Sequence, residues 1–422
     1  MINQHQNAPW LTVIGIGEDG LDGLGDLAWS LIAEAEVIYG GARHLAMIPD
    51  DLANGAEMRG WPTPFSNAIK ALESLRGTPV VVLASGDPMY FGIGGTLSRH
   101  FQGNDMRCLS FPGSFSLAAS RLGWPLDRTE KLTIHGRSIK TLLPHYLPGA
   151  RLLVLSRDGA SPKEVACQLC ARGIADAELT ILEHLGGEAE RIVSTHASIL
   201  AEREESDRFA DLNVLAIALP AHLQNWYPIQ PGLPDEAFEH DGKMTKRDIR
   251  ASALAKLMPH PGGLLWDVGT GCGSVAIEWM RSHRTCRAIG IEPQEKRRTL
   301  ARHNAECLGV PSFKLIADTA PAGLEGQDTP DAVFIGGGLS YEVMAYCLDA
   351  LKPGGRLVAH AVTLGSEHLL LEMFEKHGGD LTRLSISRAT PVGPYFGWKP
   401  SMPVTQWAFI KSPRDLDEKH NQ

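Results

Sequence analysis

Apolar residues in the first half of the chain gather into short continuous runs. Residues 11–16, 80–83, 151–156, 179–182 and 214–219 are each such a run, bounded by Gly and Pro, which is the pattern of strands buried on both faces. Between them, 26–36 and 67–75 carry helical spacing. This alternation predicts a parallel sheet covered by helices.

After residue 241 the rhythm is more regular. Helices are expected at 245–257, 274–281, 295–307, 341–351 and 367–376, and strands at 264–268, 288–292, 332–335 and 356–361. Strand and helix in strict turn describe a doubly wound sheet. The break between the halves is Pro228 to Asp241, where three prolines, a glycine and a run of acids interrupt both patterns. The expected division is 1–228, a linker 229–241, a second domain 242–411 and a polar tail 412–422.

Composition narrows the function classes. A chain of 422 residues with 43% apolar and 21% charged residues has material for two or three cores and excludes bulk disorder. The net charge of −9 is uneven: residues 1–240 carry 18 basic against 29 acidic side chains, the remainder 22 against 20. Neither half has the basic field that nucleic-acid binding leans on. No stretch reaches the length of a membrane span and the first residues are polar, so the expected location is the cytoplasm, with no membrane partner. The seven cysteines include only one CxxC, Cys167 and Cys170, on one face of a helix-like stretch and read as ordinary buried thiols. The sixteen histidines show no HExxH or similar spacing, so no protein-bound metal is expected.

In the second half, Leu264-Leu-Trp-Asp-Val-Gly-Thr-Gly-Cys-Gly-Ser274 ends a strand in Asp267 and sets Gly269, Gly271 and Gly273 at alternate positions, with Thr270 between, before a helix. Glycines there let the backbone turn tightly and approach a ligand in the crevice. The spacing is not that of a dinucleotide site, and the carboxylate beside the turn suits a cationic or hydroxyl-bearing ligand. The next strand ends in Glu292, placed to grip a ribose diol, and Asp318 follows where an adenine amino group could be read. Together these features resemble a class I S-adenosylmethionine-dependent methyltransferase. Lys243-Met-Thr-Lys246-Arg247 precedes a helix for which Thr245 is the expected N-cap and Asp248 its capping-box partner. That segment, the Phe334-Ile-Gly336-Gly337-Gly338 turn and the strand end at His360 are similar to the enzymes that methylate C15 of precorrin-6Y and decarboxylate it. In that family the basic segment lies on the substrate side.

In the first half, Val13-Ile-Gly15-Ile-Gly17-Glu-Asp-Gly20 is unspecific alone. Joined by Gly40-Gly-Ala-Arg43-His44-Leu45 and Ser85-Gly86-Asp87-Pro88, it resembles the C5-methylating precorrin enzymes, two-lobed class III tetrapyrrole methyltransferases. The resemblance implies that the Gly86-Asp87-Pro88 loop holds S-adenosylmethionine between the lobes. It implies cofactor contacts from Ser114 and Ser116, although Phe115 stands where that family has a serine. Arg43 and His44 are expected to face substrate carboxylates or to form a local hydrogen-bonded corner, and Glu183-His184-Leu-Gly-Gly-Glu188 to line the same cleft or serve structure.

The fold class expected is therefore α/β, an N-terminal two-lobed class III methyltransferase followed by a C-terminal class I Rossmann-like one. The whole resembles the fused methyltransferases of cobalamin biosynthesis acting on precorrin-6Y, which implies one S-adenosylmethionine per domain, a tetrapyrrole substrate and a homo-oligomer. Two alternatives stay open: one half is a non-catalytic tetrapyrrole-binding scaffold, or the class I half modifies nucleic acid.

Overall fold

The computed structural model describes residues 9–204 and 206–412. It divides into two compact units, Met1–Arg137 with Pro148–Gln224, and Ser138–Leu147 with Asn225–Gln422. Apart from Ser412, the expected polar tail lies outside the described residues.

The first unit has two lobes. In the first, β1 (Leu11–Ile16), β2 (Val37–Gly40), β3 (Glu57–Gly60), β4 (Val80–Ser85) and β5 (Met106–Leu109) form a parallel sheet in the order β3-β2-β4-β1-β5. The period of two in a strand divides the central strands between two cores. Leu11, Val13, Val80 and Val82 pack with Leu97 and Phe101, while Ile14, Ile16, Val81 and Leu83 pack with Ile32.

The second lobe departs from the parallel expectation. β6 (Glu130–Thr133), β7 (Arg151–Leu155), β8 (Glu178–Glu183), β9 (Arg191–His196) and β10 (Asn213–Ala218) lie in the order β6-β7-β10-β8-β9, and only β6 with β7 is parallel. The short turn from β8 to β9 permits only an antiparallel pair, and β10 inserts antiparallel to both neighbours. Cys167 and Cys170 share a face of the helix Ser161–Ala171, but Cys167 is exposed rather than buried.

In the second unit, β11 (Leu264–Val268), β12 (Arg287–Ile291), β13 (Lys314–Ile316), β14 (Ala332–Ile335) and β15 (Arg356–Ala361) are parallel. β16 (Asp380–Leu384) and β19 (Val404–Ile410) complete the sheet antiparallel, in the order β13-β12-β11-β14-β15-β19-β16. β17 (Ser387–Val392) and β18 (Tyr395–Pro400) form a separate hairpin that exposes Tyr395, Phe396 and Trp398. The strand order reverses between β11 and β14, the switch point at which such sheets open a crevice.

The stretch expected as a linker is instead a strap packed on the second unit. Leu233 and Phe238 are buried in the core beside Trp279. The amides of Gly232 and Leu233 donate to Glu278 at 2.6 and 3.1 Å, and Arg250, fully buried, donates to Glu278 at 2.6 Å and to the Leu233 carbonyl at 2.5 Å. Asp235 accepts from the Arg247 amide at 2.9 Å and so starts the helix Arg247–Leu257. Thr245 is therefore not the N-cap and Asp248 closes no capping box: an acid twelve residues upstream takes that place, brought there by the strap. The first half also lends the second unit a segment. Ser138–Leu147, which holds the 3-10 turn Ile139–His145, pairs Lys140 with Glu306 at 2.6 Å and sets Pro144 against Gly309.

Candidate functional site

In the second unit a cavity of about 980 Å³ opens at the switch point. Of the three alternate glycines after β11, Gly269 and Gly271 line it, and all three adopt the left-handed conformation, Gly269 at φ 68°, Gly271 at 56° and Gly273 at 83°. Only glycine enters that region without strain. The Gly269 and Thr270 amides donate to the Ile291 carbonyl at 3.0 and 3.1 Å. A Cβ on Gly269 would lie 2.8 Å from Gly337, so the first glycine turn and the one after β14 touch backbone to backbone. Gly336 and Gly337 donate in turn to Val268.

Asp267 is buried, and its Oδ2 accepts from Thr270 Oγ1 at 2.6 Å and from the Ala276 amide at 3.2 Å. Burial pushes its carboxyl up to about 6 against those hydrogen bonds, and the nearby Glu292 charge adds to the rise. Asp267 thus braces the turn as well as lining the cavity. Glu292, also buried, accepts from the Gly271 amide at 3.2 Å and the Gln294 amide at 2.9 Å. Two backbone bonds leave a carboxylate with acceptor capacity for a diol at the cavity wall.

Lys243, Lys246 and His360 line the same cavity. Lys246 lies 3.8 Å from Asp235. His360 bonds through Nε2 to Gln406 Oε1 at 2.9 Å and meets the Phe334 ring edge-on at 4.9 Å. Burial lowers its imidazole to about 4, so it is neutral at physiological pH. Arg247, Gly273 and Asp318 are not among the lining residues. Gly273 instead precedes the helix Ser274–Ser282 and packs on Ile277, Phe313 and Ala301. Asp318 is exposed and accepts from the Thr319 amide at 2.7 Å, while Thr319 and Ala320 beside it reach the wall. Sequence reasoning missed Arg297, which donates to Asp241 at 2.8 Å, and Arg388, which donates to Asp248 at 2.5 Å.

The first unit has two adjoining cavities, of about 820 and 560 Å³, lined from both lobes. Gly86, at φ 56°, turns the chain after β4, and a Cβ there would lie 2.9 Å from Gly113. Gly15 is pressed against this turn, its notional Cβ 2.0 Å from the Gly86 carbonyl oxygen, so it shapes the site from beneath without lining it. Gly17 lines the larger cavity, Asp87 and Ser116 the smaller, and Ser114 both. Asp87 accepts from the Met89 amide at 2.9 Å and from Ser110 at 3.2 Å. Pro88 is buried and lines neither. Phe115, the departure from the family pattern, is buried edge-on to Tyr90 at 5.6 Å and beside Phe91 at 6.1 Å, so an aromatic cluster walls the smaller cavity.

Arg43 and His44 join a polar chain across the cleft. Arg43 donates to His44 Nε2 at 3.1 Å and to Ser85 Oγ at 3.0 Å, and is ion-paired to Glu18, whose other oxygen lies 3.0 Å from His184 Nδ1. An arginine only donates, so His44 Nε2 is an acceptor and also takes the Ser85 hydroxyl proton at 3.0 Å. Burial, then the adjacent Arg43 charge, lowers His44 to about 4.

Comparison with known proteins places these sites in context. A family profile described as tetrapyrrole (corrin/porphyrin) methylases matches residues 11–201, and one described as a precorrin methyltransferase domain matches 236–411. The chain is 47% identical over 406 residues, 96% of its length and 97% of the relative, to a precorrin-6Y C5,15-methyltransferase (decarboxylating) of Sinorhizobium sp. It is 39% identical over 405 residues, 95% of this chain and all of the relative, to the protein of that name from Mycobacterium tuberculosis (strain CDC 1551 / Oshkosh). A crystal structure of the C-terminal domain of precorrin-6Y C5,15-methyltransferase from Rhodobacter capsulatus is 44% identical, covering 44% of this chain and 100% of that one, with a TM-score of 0.42.

Proposed function

We propose, on the premise that the chain belongs to the precorrin-6Y C5,15-methyltransferase (decarboxylating) family, that its units divide the family's chemistry, the first methylating C5 and the second methylating C15 and releasing the C12 acetate carboxyl as carbon dioxide. The enzyme is a decarboxylating methyltransferase of cobalamin biosynthesis that acts on precorrin-6Y with S-adenosylmethionine as methyl donor. On this reading each unit holds one donor and the product is precorrin-8.

The observation that supports two donor sites is a separate cradle in each unit. Gly269 faces Gly337 in one and Gly86 faces Gly113 in the other, each beside a cavity and too close for any side chain. These cradles fit the donor. On this reading Glu292 takes the ribose in the second unit, and Thr319 and Ala320 flank the base. In the first, Asp87, Ser114 and Ser116 edge the aromatic-walled cavity.

The bound donor supplies a methyl group on a sulfonium, which carries its own leaving group. The residues therefore need to hold the attacking ring carbon in line, about 3–3.5 Å from that methyl, and to exclude water. Neutral His360 and the Phe334 ring give the second cavity a wall without charge, while Lys243 and Lys246 at its rim hold substrate carboxylates. After methylation at C15 the ring is an electron sink. The electrons of the breaking C–C bond flow into it as carbon dioxide leaves, and no side chain has to act as base in that step.

Mass spectrometry of the product from cobalt-free precorrin-6Y tests the reading: two methyl groups gained and one carbon dioxide lost. Gly269→Val, which fills the second cradle, is expected to stop C15 methylation and decarboxylation while C5 methylation continues. Gly86→Val is expected to do the reverse. Loss of both activities in both variants would refute the division of labour.

A further inference from the structure

Four arginines and two carboxylates line the larger cavity of the first unit, and their partners set them apart. Arg43 is neutralised by Glu18. Arg157 donates to Glu164 at 2.7 Å and to Asp158 at 3.2 Å, and Asp211 faces Arg208 at 3.6 Å. The guanidinium groups of Arg99, from the first lobe, and Arg137, from the second, make no hydrogen bond or ion pair among the described residues. The cleft thus presents one uncompensated guanidinium on each lobe, inside a region whose net charge is −11 by residue count.

That asymmetry identifies what the cleft receives. The other arginines that line this cavity each meet a carboxylate, and 29 acids precede residue 241. Two that remain unpartnered on the facing walls of a cavity are available to a ligand, and a guanidinium fork matches a carboxylate in bidentate fashion. A polyanionic ring feels mainly the charges within about 8–10 Å, so the acidic surface beyond the cleft does not repel it at contact.

We infer that Arg99 and Arg137 are the specificity-determining residues of the first unit, which grip substrate carboxylates from opposite lobes and so fix which ring carbon faces the methyl donor. This rests on the reading of that unit as the C5 methyltransferase. It also reassigns the role expected of Arg43, whose charge is spent on Glu18 and whose donors orient Ser85 and His44. The clamp has two jaws, so each contributes separately. Neither arginine lines the smaller cavity with Asp87 and Ser116, so donor affinity is expected to depend little on either.

The test uses the full chain carrying Arg99→Ala, Arg137→Ala, both together, and Arg99→Lys. Initial rates of C5 methylation against precorrin-6Y concentration give KM and kcat, and calorimetry gives S-adenosylmethionine affinity. C15 methylation serves as an internal check on folding. Each alanine variant is expected to raise KM for the tetrapyrrole about tenfold, the double variant more, and the lysine to recover part of the loss. Donor affinity is expected to stay within about twofold, and the dependence of KM on salt to flatten in the double variant. An unchanged KM in the double variant overturns the inference, as does a parallel loss of donor affinity. A wild-type enzyme that methylates only C15 would instead remove the underlying reading of the first unit.

Discussion

Burial fixes the charge of individual site residues before any ligand arrives. His360 is drawn down to about 4 and Asp267 pushed up to about 6, and the two act oppositely on stability. An unfolded histidine titrates near 6.5, so the unfolded chain takes that proton first on acidification. The stability associated with neutral His360 is complete above about 6.5 and is lost as pH falls towards 4, by up to about 3 kcal/mol. Asp267 is the reverse: its folded form holds the proton longer, so its contribution is greatest below about 4 and declines as pH rises to 6. Urea unfolding at a series of pH values from 4 to 7 is expected to show a weaker rise of stability with pH in His360→Gln than in the wild type, and a steeper rise in Asp267→Asn. The residues that make these environments were only partly legible. The alternating glycines and Glu292 are local in sequence and their geometry follows from spacing. The Gln406 partner of His360 and the unpaired state of Arg99 and Arg137 exist only once distant segments meet.

Strands and helices were readable where one element's own pattern decides them. The runs at 11–16 and 264–268 are apolar but for Thr12 and Asp267 because both faces are buried, and they became inner strands of their sheets. Pairing direction is different in kind: an apolar run such as 214–219 fits a parallel or an antiparallel neighbour equally, and the second lobe took the antiparallel arrangement. The strap 229–241 was misread for a related reason. Its prolines and acids are those of a tether, yet two apolar residues and a carboxylate among them dock it. The tight coupling of the strap to the sheet's first helix predicts its energetics. Arg250→Ala leaves Glu278 buried without its cation and is expected to cost about 3–5 kcal/mol. Asp235→Ala, which removes only a helix cap and one edge of the network, is expected to cost about 1–2 kcal/mol. Chemical denaturation of the full chain, read by the buried Trp279 in this unit, separates the two.

At the scale of the molecule, each unit is compact in itself but assembled from two separate stretches of sequence, because Ser138–Leu147 belongs with the second. Gly309, at φ 86°, accepts Pro144 only for want of a side chain: a Cβ would stand 2.4 Å from Pro144 Cδ. Gly309→Ala is expected to loosen this segment at a cost of about 1–3 kcal/mol and to speed tryptic cleavage at Arg137 and Lys140, with methyl transfer at C5 retained. Cleavage at the wild-type rate would show that the proline seat is dispensable. The detour of ten residues also constrains how such a protein can be taken apart. No single cut in the gene yields two products that each own all their parts, since any break between residues 147 and 225 leaves the borrowed turn on the wrong fragment. Module exchange in this architecture therefore has to carry that turn across as well, or supply a new cover for the surface around Glu306 and Gly309.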